Sequence, residues 1–152
     1  MMPLGTKAPD FTLLDTVSGT SKSLSELKSD TATVIMFICN HCPFVKHIRN
    51  GLTNLANDYI PKGISFIAIS ANDASEYPED APDKMKTVAE KFRYPFPCLY
   101  DESQKTAKNY NAACTPDFYI FDRDLSCVYR GQFREYAGRL QRVWFPVPLP
   151  DG

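Results

Sequence analysis

Two apolar runs, Val34 to Ile38 and Ile64 to Ile69, bracket a segment in which Phe44, Ile48, Leu52, Leu55 and Tyr59 recur at spacings of four, four, three and four. Runs with little alternation fit strands covered on both faces, and the intervening spacing is the apolar stripe of an amphipathic helix. Strand, helix, strand in that order is a βαβ unit, which requires parallel pairing and a right-handed crossover. The chain is therefore read as α/β, with a central sheet flanked by helices.

The remaining segments extend that sheet. Phe11 to Leu14 reads as an edge strand, and Ser23 to Lys28 as a short helix or turn. Asn72 to Asp83, polar, acidic and carrying Pro78 and Pro82, reads as a loop leading into a second helix marked by Met85, Val88, Ala89 and Phe92. Pro97 to Tyr100 is a short strand and Ser103 to Tyr110 a short helix. Phe118 to Phe121 and Cys127 to Tyr129, joined through Asp122-Arg123-Asp124, form a hairpin, so the sheet is mixed. The 152 residues suit one domain, placed at 1–132. Residues 133–152 form an atypical tail: lysine is absent after Lys108, and Pro146, Pro148 and Pro150 close the chain. The spacing predicts a short closing helix from about Arg134 to Trp144, then a loose end.

Charge and cysteine content narrow the function. Seventeen basic against eighteen acidic residues leave a net charge of -1, so no overall field draws the protein to nucleic acid or an anionic membrane. Five cysteines are too few, and odd in number, for a secreted disulfide scaffold. No signal segment or membrane-length apolar run is visible. A soluble, cytoplasmic protein with a few reactive thiols is the expectation.

Cys39-Asn40-His41-Cys42 follows the first buried strand and opens the helix, with Pro43 in the first turn, where a missing N–H costs nothing. The carboxyl ends of strands in open α/β sheets are where ligands and chemistry sit, and a helix start offers unpaired N–H donors and partial positive charge. Cysteines three apart on a turn come close enough to bond reversibly. Cys39, at the exposed end, is the expected attacking thiol and Cys42 the resolving one. A protonated His41 would favour the thiolate. Zinc competes as a reading of any C-x-x-C, but the second ligand pair is absent; two inert cysteines are the bland alternative. His47 reads as a solvated helix residue, and Cys98 and Cys127 as packed thiols. Ala113-Cys114-Thr115-Pro116-Asp117 is by composition an ordinary loop ahead of a strand.

Taken together, Ala8-Pro9-Asp10-Phe11, Cys39 to Cys42 between strand and helix, and Thr115-Pro116 before a hairpin resemble the thioredoxin superfamily. The stretch from Cys39 to His47 and Cys114 to Phe118 are similar to small bacterial members of its redoxin branch, of alkyl hydroperoxide reductase and thiol-specific antioxidant type. The resemblance spans about Gly5 to Gln132. It implies a three-layer thioredoxin-like fold, Cys39 as nucleophile, Cys42 as resolver, and Pro116 as a cis-proline facing the sulfurs, with the Thr115 backbone pairing to substrate. It also implies disulfide exchange with protein or small-molecule substrates and a thiol reductant, without cofactor or metal. Four departures stand out. Ile38 replaces the usual Trp, and Thr33 occupies the place of the buried Asp that serves as proton acceptor. The peroxiredoxin Pro-x-x-x-Thr-x-x-Cys pattern fails counting back from either cysteine. The family's closing segment is not recognisable after Gln132, so the tail is read as altered or frame-shifted. Competing readings are a thiol peroxidase, a Cu(I) or Zn(II) protein using Cys39 and Cys42 with Cys114 or His41, and a scaffold that only binds partners. Cys114, near the pair if Pro116 faces it, is a candidate extra thiol.

Overall fold

A computed structural model describes residues 2–40, 43–72, 74–112 and 117–131, with the side chains of Phe44 and His47 outside that set. Among the described residues, seven strands and four helices follow one another as β1 (Thr12–Asp15), β2 (Ser21–Ser23), α1 (Leu24–Leu27), β3 (Ala32–Phe37), α2 (Pro43–Tyr59), β4 (Ile64–Ser70), α3 (Pro82–Lys91), β5 (Cys98–Tyr100), α4 (Lys105–Asn109), β6 (Asp117–Phe121) and β7 (Cys127–Gly131). Short 3-10 turns at Ile60–Lys62 and Pro78–Asp80 precede β4 and α3. The tail expected at 133–152 lies outside the described residues.

The strands form one mixed sheet in the order β2-β1-β5-β4-β3-β6-β7. β3 and β4 pair in parallel from Ala32 opposite Ile64 to Phe37 opposite Ile69, and β4 pairs in parallel with β5. β6 runs antiparallel to β3 and to β7, as the hairpin reading required. The expected edge position of the first strand is corrected: β1 lies inside, between β2 and β5, and the polar trio Ser21-Lys22-Ser23 is the edge. These residues carry no apolar signature; the turn after Asp15 brings them back onto β1, and a polar rim suits an exposed edge.

Alternation along the central strands divides the interior. Val34 and Met36 of β3, Phe66 and Ala68 of β4, and Phe118 and Ile120 of β6 face α2 and α3. Ile35 and Phe37, Ile67 and Ile69, and Tyr119 and Phe121 face the other way, against Leu24 of α1, Tyr110 after α4, and Phe11. α2 contributes Ile48, Leu52, Leu55 and Tyr59, as its spacing predicts, and Val45 and Ala56 widen the stripe. Local residues set the joints. Ser23 and Glu26 close a reciprocal cap on α1, and Gly63, at φ +92, turns the chain from α2 into β4 in a conformation that other residues adopt with strain.

Candidate functional site at the end of β3

The site begins where β3 stops pairing with its neighbours. The Ile38 N–H donates to Ile69 O at 3.0 Å, one residue past the strand, and Cys39 and Asn40 then leave the sheet for α2. Pro43 is the first residue of α2 and is exposed, as expected of it. Asp117, the first residue of β6, pairs with Phe37, so the residue after Pro116 and the residue two before Cys39 lie side by side. The flanks of both sequence motifs therefore meet at one end of the sheet. His41, Cys42, Cys114, Thr115 and Pro116 themselves lie outside the described residues.

Cys39 corrects one expectation. It is 2% exposed and belongs to the core cluster beneath α2 and α3, not to an open helix mouth. Alternation along β3 turns residue 38 toward that cluster, and the chain has not cleared the core by residue 39.

The loop is clamped from outside the sheet. The Asn40 N–H donates to Asp80 Oδ1 at 2.7 Å, and Asn40 Nδ2 donates to Glu79 O at 2.9 Å. Asn72 Nδ2 donates to the second oxygen, Asp80 Oδ2, at 3.0 Å. Asp80 is 0% exposed and is set by the 3-10 turn, in which its own N–H donates to Tyr77 O at 2.9 Å. Both carboxyl oxygens thus accept hydrogen bonds, which a buried carboxylate requires. At the rim, Lys46 of α2 pairs with Glu79 at 3.6 Å; both side chains are more than half exposed, so this ion pair contributes little.

Sequence reasoning missed Asp80. An acidic residue between two prolines in a polar stretch reads as solvated, and nothing local marks it as the one that turns inward. Thr33, by contrast, is settled: it is fully buried and its Oγ1 accepts from the Ser29 N–H at 3.0 Å, so it ties a turn to β3 and has no carboxylate to offer.

A small cavity adjoins Cys39, lined among others by Asn40, Ser70, Tyr94 and Cys98. The Ser70 hydroxyl is buried without a hydrogen-bond partner. Tyr94 accepts from Arg49 Nε at 3.0 Å, and the Arg49 guanidinium lies 4.1 Å above the Phe92 ring, which ties α2 to the chain after α3. Burial raises the Tyr94 hydroxyl, partly opposed by Arg49. Burial, with the Asp15 charge adding, pushes the Cys98 thiol up to about 12; Cys127, on the other face of the sheet, is also raised by burial. Both are packed thiols, as the sequence implied. Among the described residues no group of three His, Cys, Asp or Glu is arranged to hold a metal ion.

The model of the AhpC/TSA family matches residues 4–130. Among solved structures, an uncharacterized conserved protein from Geobacillus kaustophilus is 59% identical, with a TM-score of 0.87 over 99% of this chain and 77% of its own. A hypothetical protein from Sinorhizobium meliloti 1021 is 42% identical, with a TM-score of 0.85 over 90% of this chain and 74% of its own. The thioredoxin domain of a thiol-disulfide oxidoreductase from Bacteroides vulgatus shares the fold, with a TM-score of 0.71 at 18% identity over 87% of this chain and 90% of its own. A search of curated proteins finds no match.

Proposed function

Since this chain belongs to the AhpC/TSA family, within the redoxin branch of the thioredoxin superfamily, we propose that it is a thiol-disulfide oxidoreductase in which Cys39 attacks and Cys42 resolves. The family sets the class of chemistry as thiol redox. The observation that carries the finer reading is the seat of Cys39, on a loop pinned at Asn40 between the carboxyl end of β3 and the start of the 17-residue α2. A helix start favours a thiolate there, by roughly 0.3 to 2 kcal/mol.

In the proposed reaction the Cys39 thiolate attacks a substrate disulfide, its S–S bond breaks, and one substrate thiolate leaves. Cys42 then attacks the Cys39 sulfur, the mixed disulfide breaks, and the second substrate thiol departs with the protein left oxidised. A dithiol donor returns two electrons and two protons. The Thr115 backbone and Pro116 would hold the substrate chain beside the sulfurs, with His41 favouring the thiolate and Cys114 as an extra thiol. Disulfide-bearing proteins or small molecules and a thiol reductant are the proposed partners, and a reducing, cytoplasmic setting suits them. The near-neutral charge supports no nucleic-acid role, and no helix among the described residues is long and apolar enough to cross a membrane. Dithiothreitol-driven reduction of insulin tests the reading: turnover is expected from the native protein and only background from Cys39→Ser, whereas full activity in that variant overturns the assignment.

The 2% exposure of Cys39 favours a second reading, a thiol peroxidase. A peroxide is small enough to reach a covered sulfur that a folded protein disulfide does not. Cys39 would be oxidised to the sulfenic acid with release of water, and Cys42 would condense with it to the disulfide, releasing a second water. Peroxide consumption coupled to a dithiol, without insulin turnover, would select this reading.

A further inference from the structure

The thiol redox reading leaves a carboxylate beside the cysteine loop without a role. Asp80 is fully buried, and its Oδ1 lies 2.7 Å from the amide nitrogen of Asn40, the residue after Cys39. Standard covalent geometry then keeps that oxygen within about 8 Å of the Cys39 sulfur. The charged and titratable groups near Cys39 include His41, two residues on in the chain, and Arg49 of α2, which holds Tyr94. Asp80 and Glu79 come from the 3-10 turn, Lys46 from the first turn of α2, and Tyr94 and Cys98 from across the cavity. Lys46 and Glu79 offset each other in water, and Tyr94 and Cys98 are both raised above their ordinary values. Asp80 brings a carboxylate to the loop from within the protein, where screening is weak.

We infer that Asp80 is a positioning residue that sets the redox poise of the Cys39–Cys42 pair: it fixes the loop through the Asn40 amide, and its charge disfavours the Cys39 thiolate, holding the pair toward the disulfide and making its dithiol the better reductant. The inference rests on the thiol redox reading and deepens it. The equilibrium concerned is dithiol protein plus glutathione disulfide giving disulfide protein plus two glutathione, in which the protein loses two electrons and two protons and glutathione disulfide gains them. A charge that raises the thiolate in energy destabilises the reduced side, just as thiolate stabilisation makes a disulfide more oxidising.

The test compares native protein with Asp80→Asn. Asparagine can still accept from the Asn40 N–H through its Oδ1, and a flip of the Asn72 amide lets its own NH2 find an acceptor, so the substitution removes charge at nearly constant shape. Two readouts are taken. One is the thiolate titration of Cys39, from ultraviolet absorbance as the difference from the matching Cys39→Ser protein. The other is the glutathione equilibrium. In Asp80→Asn the thiolate ionisation constant is expected to rise about 2- to 30-fold, the range for unit charges about 8 Å apart as screening falls from water-like to protein-like. The glutathione equilibrium should shift toward the dithiol protein in the same sense. Asn72→Ala, which keeps the charge and removes one donor that offsets it, should move the titration the opposite way, and it carries the test alone if Asp80→Asn does not fold. Superimposable Cys39 titrations in native and variant protein overturn the inference. A native protein that forms no Cys39–Cys42 disulfide in glutathione overturns the thiol-exchange reading instead, while the titration still reads the effect of Asp80.

Discussion

At the scale of single residues, the cysteines separate by what surrounds them. Cys98 and Cys127 sit in strands on opposite faces of the sheet, each 3% exposed or less, and burial raises both thiols. A raised thiol is stabilising below its unfolded value and costs stability above it, because the unfolded chain can ionise where the fold cannot. For Cys98 the window opens near 9.0 and closes at about 12. Stability should therefore hold below pH 9 and fall as pH rises, with this one group contributing at most ~1.4 kcal/mol per pH unit. Urea denaturation of native protein and Cys98→Ala at pH 8 and about pH 10 checks it. The variant starts less stable from lost packing, and the gap between the two proteins should narrow at the higher pH. A constant gap would mean that the thiol ionises equally well in both states. Cys39 shares the burial but differs in position, at the strand end and beside a clamped amide. Position rather than exposure marks it as the redox candidate.

At the scale of elements, what the sequence made legible is what repeats. The stripe from Ile48 to Tyr59 and the apolar runs of β3 and β4 follow from periodicity, because each residue on a buried face must be apolar whatever its partners are. Leu52, 1% exposed at the middle of α2, tests the strength of that face. Leu52→Ala should lower stability by about 2 to 5 kcal/mol, seen as an earlier urea midpoint at unchanged slope; a shift under ~1 kcal/mol would place α2 outside the cooperative core. Two features without a repeat or a turn signal are not legible. β2 exists because a tight turn returns Ser21-Lys22-Ser23 to β1, and the inward course of Asp80 depends on Pro78 and Pro82 framing a turn that presses against a loop forty residues earlier in the chain. The end of β3 reads as a candidate site from order alone, strand then C-x-x-C then helix. The cover over Cys39 is not legible, since it comes from packing beneath α2 and α3, which no local pattern reports.

At the scale of the whole molecule, one sheet serves as the floor of two apolar layers, and β3, β4 and β6 contribute alternate residues to each. A strand cannot lose its packing on one side and keep its register on the other, because the same backbone carries both sets of side chains. The two layers should therefore unfold together, although they touch different helices. Phe121, fully buried on the face toward Tyr110, lies 6.0 Å ring to ring from it, and Phe121→Ala should cost about 3 to 5 kcal/mol. Cys98 reports on the α2 and α3 layer and Cys127 on the Phe121 layer, so the chain carries a thiol probe for each. Under two-state unfolding, labelling of Cys98 and Cys127 in increasing urea, with each site read by peptide mass, should show one shared midpoint in native protein and a lower but still shared midpoint in Phe121→Ala. Exposure of Cys127 ahead of Cys98 in the variant would show that the layers part independently. The clamp on Cys39, built on the α2 and α3 side, would then be insulated from damage across the sheet. A shared midpoint instead ties the proposed redox site to both layers, and any insulin turnover of Phe121→Ala should be lost at the urea concentration at which both thiols become labelled.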